Sequence, residues 1–88
     1  MRTTYELTAT LQCPKDQKLI AYSVTLEEDD KLIEVETILA EIEKIAADGP
    51  IMQEPFTETL ASRLAALGHY PNVTTVGVHS GVKITCSA

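Results

Sequence analysis

Residues 35–68 read VETILAEIEKIAADGPIMQEPFTETLASRLAALG, and this stretch decides the fold. In its first half Val35, Ile38, Leu39, Ile42, Ile45 and Ala46 recur at helical spacing, with Glu36, Glu41, Glu43 and Lys44 mostly off that stripe. Gly49 and Pro50 end this helix: glycine accepts the left-handed cap geometry and proline cannot continue the ladder. In the second half Pro55 suits a first helical turn, where its missing N–H is not needed. Phe56, Leu60, Leu64 and Leu67 form the next apolar stripe, and Gly68 is the natural stop. Two helices therefore follow each other with no strand between them, which argues against a ferredoxin-like β-α-β-β-α-β order.

Working outward, residues 4–12 alternate. Tyr5, Leu7, Ala9 and Leu11 share one side, and Thr4, Glu6, Thr8, Thr10 and Gln12 the other. Residues 19–26 alternate again, with Ile20, Tyr22, Val24 and Leu26 together. Pro14 cannot donate to a ladder, so the first strand stops near Cys13. The short connection Pro14 to Lys18 predicts an antiparallel pair. The acidic run LEEDDK (26–31) reads as a turn or the start of a helix. Downstream, NVTTVGVHSGVKITC (72–86) reads as two strands around Ser80-Gly81. The expectation is a single α+β domain over residues 1–88 in the order β-β-α-α-β-β. One four-stranded antiparallel sheet carries both helices on one face. Its other, threonine-rich face meets solvent or another subunit.

Thirteen acidic against seven basic residues leave a net charge of -6. Such a surface disfavours generic phosphate binding and suits a basic partner. No apolar run approaches the roughly 18 residues that span a bilayer. The N-terminus MRTTYELTAT lacks the apolar segment of a signal peptide. Two cysteines without a secretory signal point to reduced thiols in a cytoplasm. A chain of 88 residues has a thin core, which oligomerisation would supplement.

Five positions could carry chemistry. Cys13 ends a strand with Lys15 and Lys18 close by; it is either a small apolar residue or a nucleophile, which needs the thiolate form. Glu54 stands beside Pro55 at the start of the second helix, where exposed N–H groups favour a carboxylate. It is either a cap or an acceptor for a guanidine-like ligand edge, and Gln53 beside it adds a donor and an acceptor. Glu34, before the first helix, is a dipole partner or a second polar group in a pocket. Asp16, just after Cys13, is a turn residue or a general acid. His69 and His79 lack metal-ligand spacing, so no metal is expected, and His79 reads as a surface residue. No glycine-rich phosphate loop is present.

Four segments together resemble a known family: TLQCP ending the first strand, LIEVETI leading the first helix, IMQEPFTETLASRL opening the second, and VTTVGVHSGVKIT as the final hairpin. The chain resembles the QueF group, the nitrile reductases of 7-deazaguanine metabolism, and above all the shorter QueF-like amidinotransferases. The resemblance implies a tunnelling fold, or T-fold, whose copies associate into an oligomeric barrel with purine or pterin ligands at subunit interfaces. It matches Cys13 to the family's Cys-Pro nucleophile, which attacks a nitrile to form a thioimide. It matches Glu54 to the glutamate that holds the deazaguanine edge, with Gln53 in place of the family's histidine. Glu34 matches the glutamate that leads the first helix.

The reductases' lysine-bearing motif has no lysine here, where the stretch reads IEVETIL. The resemblance thus implies amidinotransfer without NADPH or another cofactor. The family's proton-donating aspartate falls at Ile20, which leaves Asp16 as its substitute. The implied partners are a 7-deazaguanine base, free or within a modified nucleic acid, and further copies of the chain, with no membrane. The alternative is a T-fold that binds or regulates without turnover, as a small acidic inhibitor or a ligand-binding module. A blander alternative is an unrelated four-stranded α+β domain.

Overall fold

The computed structural model describes residues 1–88. The elements are β1 (Arg2–Gln12), β2 (Leu19–Asp29), α1 (Val35–Ala47), α2 (Gln53–Ala66), β3 (Asn72–His79) and β4 (Val82–Ser87). The strands form one sheet in the order β1-β2-β3-β4, and every neighbouring pair is antiparallel. The expected β-β-α-α-β-β order is therefore present.

β1 and β2 pair without interruption from Arg2↔Asp29 to Gln12↔Leu19. The acidic run expected to form a turn or a helix start is thus strand as far as Asp29. Side-chain pairing makes this tolerable. Glu27 and Asp29 point to the same face and meet the Arg2 guanidinium at 3.4 and 3.1 Å. Glu28 points the other way and is buried; Tyr70 N–H donates to its Oε1 at 3.3 Å. β2 and β3 pair only from Ser23↔Val76 to Glu27↔Asn72. Beyond that they part, so Leu19–Tyr22 and Gly77–His79 do not bond to each other. Ser80 and Gly81 join β3 to β4 with φ of 50° and 79°, the positive values that a tight two-residue hairpin turn requires.

Both helices cover one face, α1 over β1 and α2 over β3 and β4. Tyr22, Val24, Leu26, Ile38, Phe56, Leu60, Leu64 and Val73 are each at most 2% exposed. Burying one such side chain contributes about 1.5–3 kcal/mol. The helical stripes differ from expectation at four apolar positions: Val35, Leu39, Ala46 and Leu67 face solvent. Glu41, Gln53 and Thr57 are buried instead. Each has hydrogen-bond partners, the condition for burying a polar group. Glu41 accepts from Arg63 Nε at 2.9 Å and Lys44 Nζ at 3.0 Å, which ties α1 to α2. The opposite face of the sheet, with Thr4, Glu6, Thr8 and Thr10, is uncovered. The molecule is only 17 Å thick, enough for one sheet and one helical layer. No helix is long and apolar enough to cross a membrane.

Candidate active site

The turn after β1 sets Cys13. Its N–H donates to Lys18 O at 2.9 Å, and its carbonyl accepts from Gln17 N–H at 2.9 Å. Gln17 closes the turn with φ of 63°. Lys18 N–H donates to Asp16 Oδ1 at 3.0 Å. This bond holds the Asp16 carboxyl below the usual carboxylate range; slight burial opposes it, and the Cys13 thiol and the Lys18 charge add to it. Cys13 itself is buried, at 6% exposure.

The start of α2 is brought to the same place by one backbone bond, from Ile51 N–H to Gln12 O at 3.0 Å. It fixes the linker onto the end of β1, so Gln53 and Glu54 enter beside Cys13. Met52 is the N-cap and makes no side-chain capping bond. Glu54 is thus inside the first turn and exposed, on the wall of the cleft. Gln53 is buried; its Nε2 meets Thr75 O and Thr75 Oγ1 at 3.2 Å and Ile84 O at 3.0 Å. The amide therefore bridges β3 and β4, while its Oε1 is buried with no partner.

Together these residues line a cleft of about 840 Å³ at the end of the sheet where β2 and β3 part. Four of the five candidate residues meet there: Cys13, Asp16, Gln53 and Glu54. The fifth, Glu34, does not line it. Glu34 is the N-cap residue of α1, exposed and without a capping bond.

Three cleft-side residues were not among the candidates. Tyr22 is 1% exposed, its ring stacked on Phe56 at 6.1 Å between centroids. Its OH lies 3.4 Å from His79 Nε2. Burial, then the nearby Cys13 and Cys86 sulfurs, push the Tyr22 phenol above its ordinary range. His79, expected at the surface, is half-buried and lines the cleft. The strand period carried the signal, because His79 shares the inward side with Val73, Thr75 and Gly77. Cys86, on β4 opposite Thr75, brings a second thiol to the cleft. Burial raises that thiol, and Glu54 adds to the effect.

The crystal structure of the archaeosine synthase QueF-Like in the apo form resembles this chain with a TM-score of 0.78, covering 99% of this chain and 90% of that one. The chain has the T-fold. The two sequences are 18% identical, so the likeness is one of fold, and the resemblance to the QueF-like proteins holds at that level. No protein-family model and no curated protein sequence matches the chain.

Proposed function

We propose that this T-fold chain is a nitrile-processing enzyme of 7-deazaguanine metabolism, of the amidinotransferase type. Its ligand is a base of the 7-cyano-7-deazaguanine kind, free or carried in a nucleic acid. One observation carries the reading: Cys13 and Glu54, far apart in sequence, share one cleft of about 840 Å³. That volume suits a small heterocycle, since ligand pockets run to roughly 300–1,000 Å³. The shared fold with an archaeosine synthase supports the same substrate class.

In this reading the Glu54 carboxylate accepts from the donor edge of the base. A base without those donors would leave the carboxylate without a partner on the ligand, which disfavours it. Gln53 has committed its amide donors to Thr75 and Ile84 and its Oε1 is buried, so it holds the start of α2 in place rather than touching the ligand. The Cys13 sulfur adds to the nitrile carbon, one C–N π bond opens, and a thioimide forms. An amine then displaces the sulfur and leaves an amidine. Asp16, ionised and against the thiol, accepts a hydrogen bond there and orients the sulfur rather than donating a proton.

Glu34 reaches such a ligand only as the contribution of a neighbouring copy. The cleft rim supports self-association into an oligomer: Leu19, Val78 and Ile84 are apolar and 72%, 59% and 37% exposed. A second copy laid there would cover them.

The test is intact-protein mass spectrometry after incubation with 7-cyano-7-deazaguanine. The expected result is a gain of one base per chain that is absent in Cys13→Ala. A folded protein with a free, alkylatable Cys13 and no gain would refute the enzyme reading and leave a T-fold that binds without turnover.

A further inference from the structure

We propose that His79, held by Tyr22, is the proton shuttle of this cleft: it takes the proton of the Cys13 thiol and delivers it to the nitrile nitrogen. The inference rests on the nitrile chemistry proposed above and adds two residues to it.

The step itself defines what is needed. A sulfur–carbon bond forms and sulfur loses its proton. One C–N π bond becomes a lone pair on nitrogen, which must be protonated for the thioimide to persist. The atoms balance with no oxidant or reductant. One group that can both accept a proton at sulfur and release it at nitrogen completes the step.

The titratable groups around His79 are few. Cys13 comes from the end of β1, and Lys15, Asp16 and Lys18 from the turn. Tyr22 comes from β2, Glu54 from α2 and Cys86 from β4. Asp16 lies against the thiol, but its bond from Lys18 N–H holds it ionised and lowers its affinity for a proton, so it starts with none to give and is a weak base for the thiol. Tyr22 and Cys86 are both pushed toward their protonated forms, so neither serves as a base. The lysines only donate, and Glu54 is occupied by the base edge. Imidazole is the side-chain type that accepts and releases protons near neutral pH.

The Tyr22 contact supplies the orientation. The shuttle uses the tautomer in which the Tyr22 oxygen, 3.4 Å away, accepts from Nε2–H, which leaves Nδ1 bare. Nδ1 takes the thiol proton and returns it to the nitrile nitrogen, and the imidazole ends in its starting tautomer. Tyr22 is a positioning residue. Its ring is fixed by Phe56 on one side and by Gly77 on the other, where a Cβ would sit 2.5 Å from the ring.

The experiment follows Cys13 adduct formation with 7-cyano-7-deazaguanine by mass spectrometry from pH 5 to pH 8, the window in which imidazole changes charge. It compares the wild type, His79→Gln and Tyr22→Phe, which keeps the ring. Binding of 7-deazaguanine, which lacks the nitrile, is measured in parallel. The expected result is adduct formation slowed about 100-fold in His79→Gln, with its pH dependence in that window flattened. Tyr22→Phe is slowed less and its pH midpoint moves, while 7-deazaguanine affinity is unchanged in both. Wild-type rate and pH profile in His79→Gln would overturn the shuttle and leave the nitrile reading standing. A slow variant that also loses 7-deazaguanine would overturn it too, by making His79 structural. No adduct in the wild type would overturn the nitrile reading and the shuttle with it.

Discussion

Gly77→Ala is the substitution on which the packing argument depends most directly. Gly77 has no positive φ, so alanine meets no backbone obstacle there. In a strand it would gain about 0.5–1 kcal/mol by restricting the unfolded chain. The obstacle is the Tyr22 ring: an added Cβ would stand 2.5 Å from Cε1 and 2.6 Å from Cδ1. Carbon atoms rest at about 3.5–4.0 Å, so the ring must retreat by roughly 1 Å. It has nowhere to go, being 1% exposed and stacked on Phe56, which is fully buried. Overpacking of this kind costs about 1–3 kcal/mol. After the entropic gain, a net loss of about 1–2 kcal/mol remains, or roughly 4–16 °C in melting temperature for a domain of this size. Thermal unfolding followed by circular dichroism measures it. A double-mutant cycle isolates the cause, because Tyr22→Leu removes the ring and Gly77→Ala in that background should be neutral or stabilising. A single variant as stable as the wild type, or an equal penalty in both backgrounds, would refute the clash.

Two further outcomes follow from buried polar groups. Gln53→Ala strands the carbonyls of Thr75 and Ile84, with an expected loss of about 1–3 kcal/mol in urea unfolding; a loss no larger than that of a surface substitution would show that Gln53 does not bridge the strands. Glu41 is held below the usual carboxylate range first by Lys44 and then by Arg63, against the effect of burial. Its stabilising effect is therefore present above the unfolded value of about 4.3 and is lost as pH falls through the depressed folded value. Carboxyl-carbon NMR titration should place its midpoint below 4.3, and Lys44→Met with Arg63→Met should raise it; an unmoved midpoint would count against the ion-pair account.

The fold was legible because each element has a clean period and a clean stop. Alternation over residues 4–12 and 19–26, the two helical stripes and the Ser80-Gly81 turn sufficed for the order of elements. Charge misled where it was locally neutralised: Glu27 and Asp29 resemble turn residues until Arg2 is set beside them by the register. On the helices, periodicity alone could not distinguish Leu39, which faces solvent, from Glu41, which is buried through a partner on the other helix. In the cleft, Cys13 and Glu54 stood out because each lies at the end of an element. His79, Tyr22 and Cys86 did not, since their meeting depends on how β2 and β3 separate and on which side of the final hairpin faces the helices. Both are tertiary facts with no local mark beyond strand parity.

The short β2–β3 seam gives the molecule a mechanical axis. One hairpin runs eleven pairs and the other six, and they share only five. Along that spine the fewest ladder bonds resist flexing. Cys13 and Asp16 ride on one leaf, His79 and Cys86 on the other. The start of α2 is stapled to both, through Ile51 to Gln12 and through Gln53 to Thr75 and Ile84. The separation of Cys13 and His79 is therefore set by how the two leaves meet along the seam and by the α2 staple between them. A ligand that touches both leaves closes the book, and the stiffness it adds is part of its binding free energy.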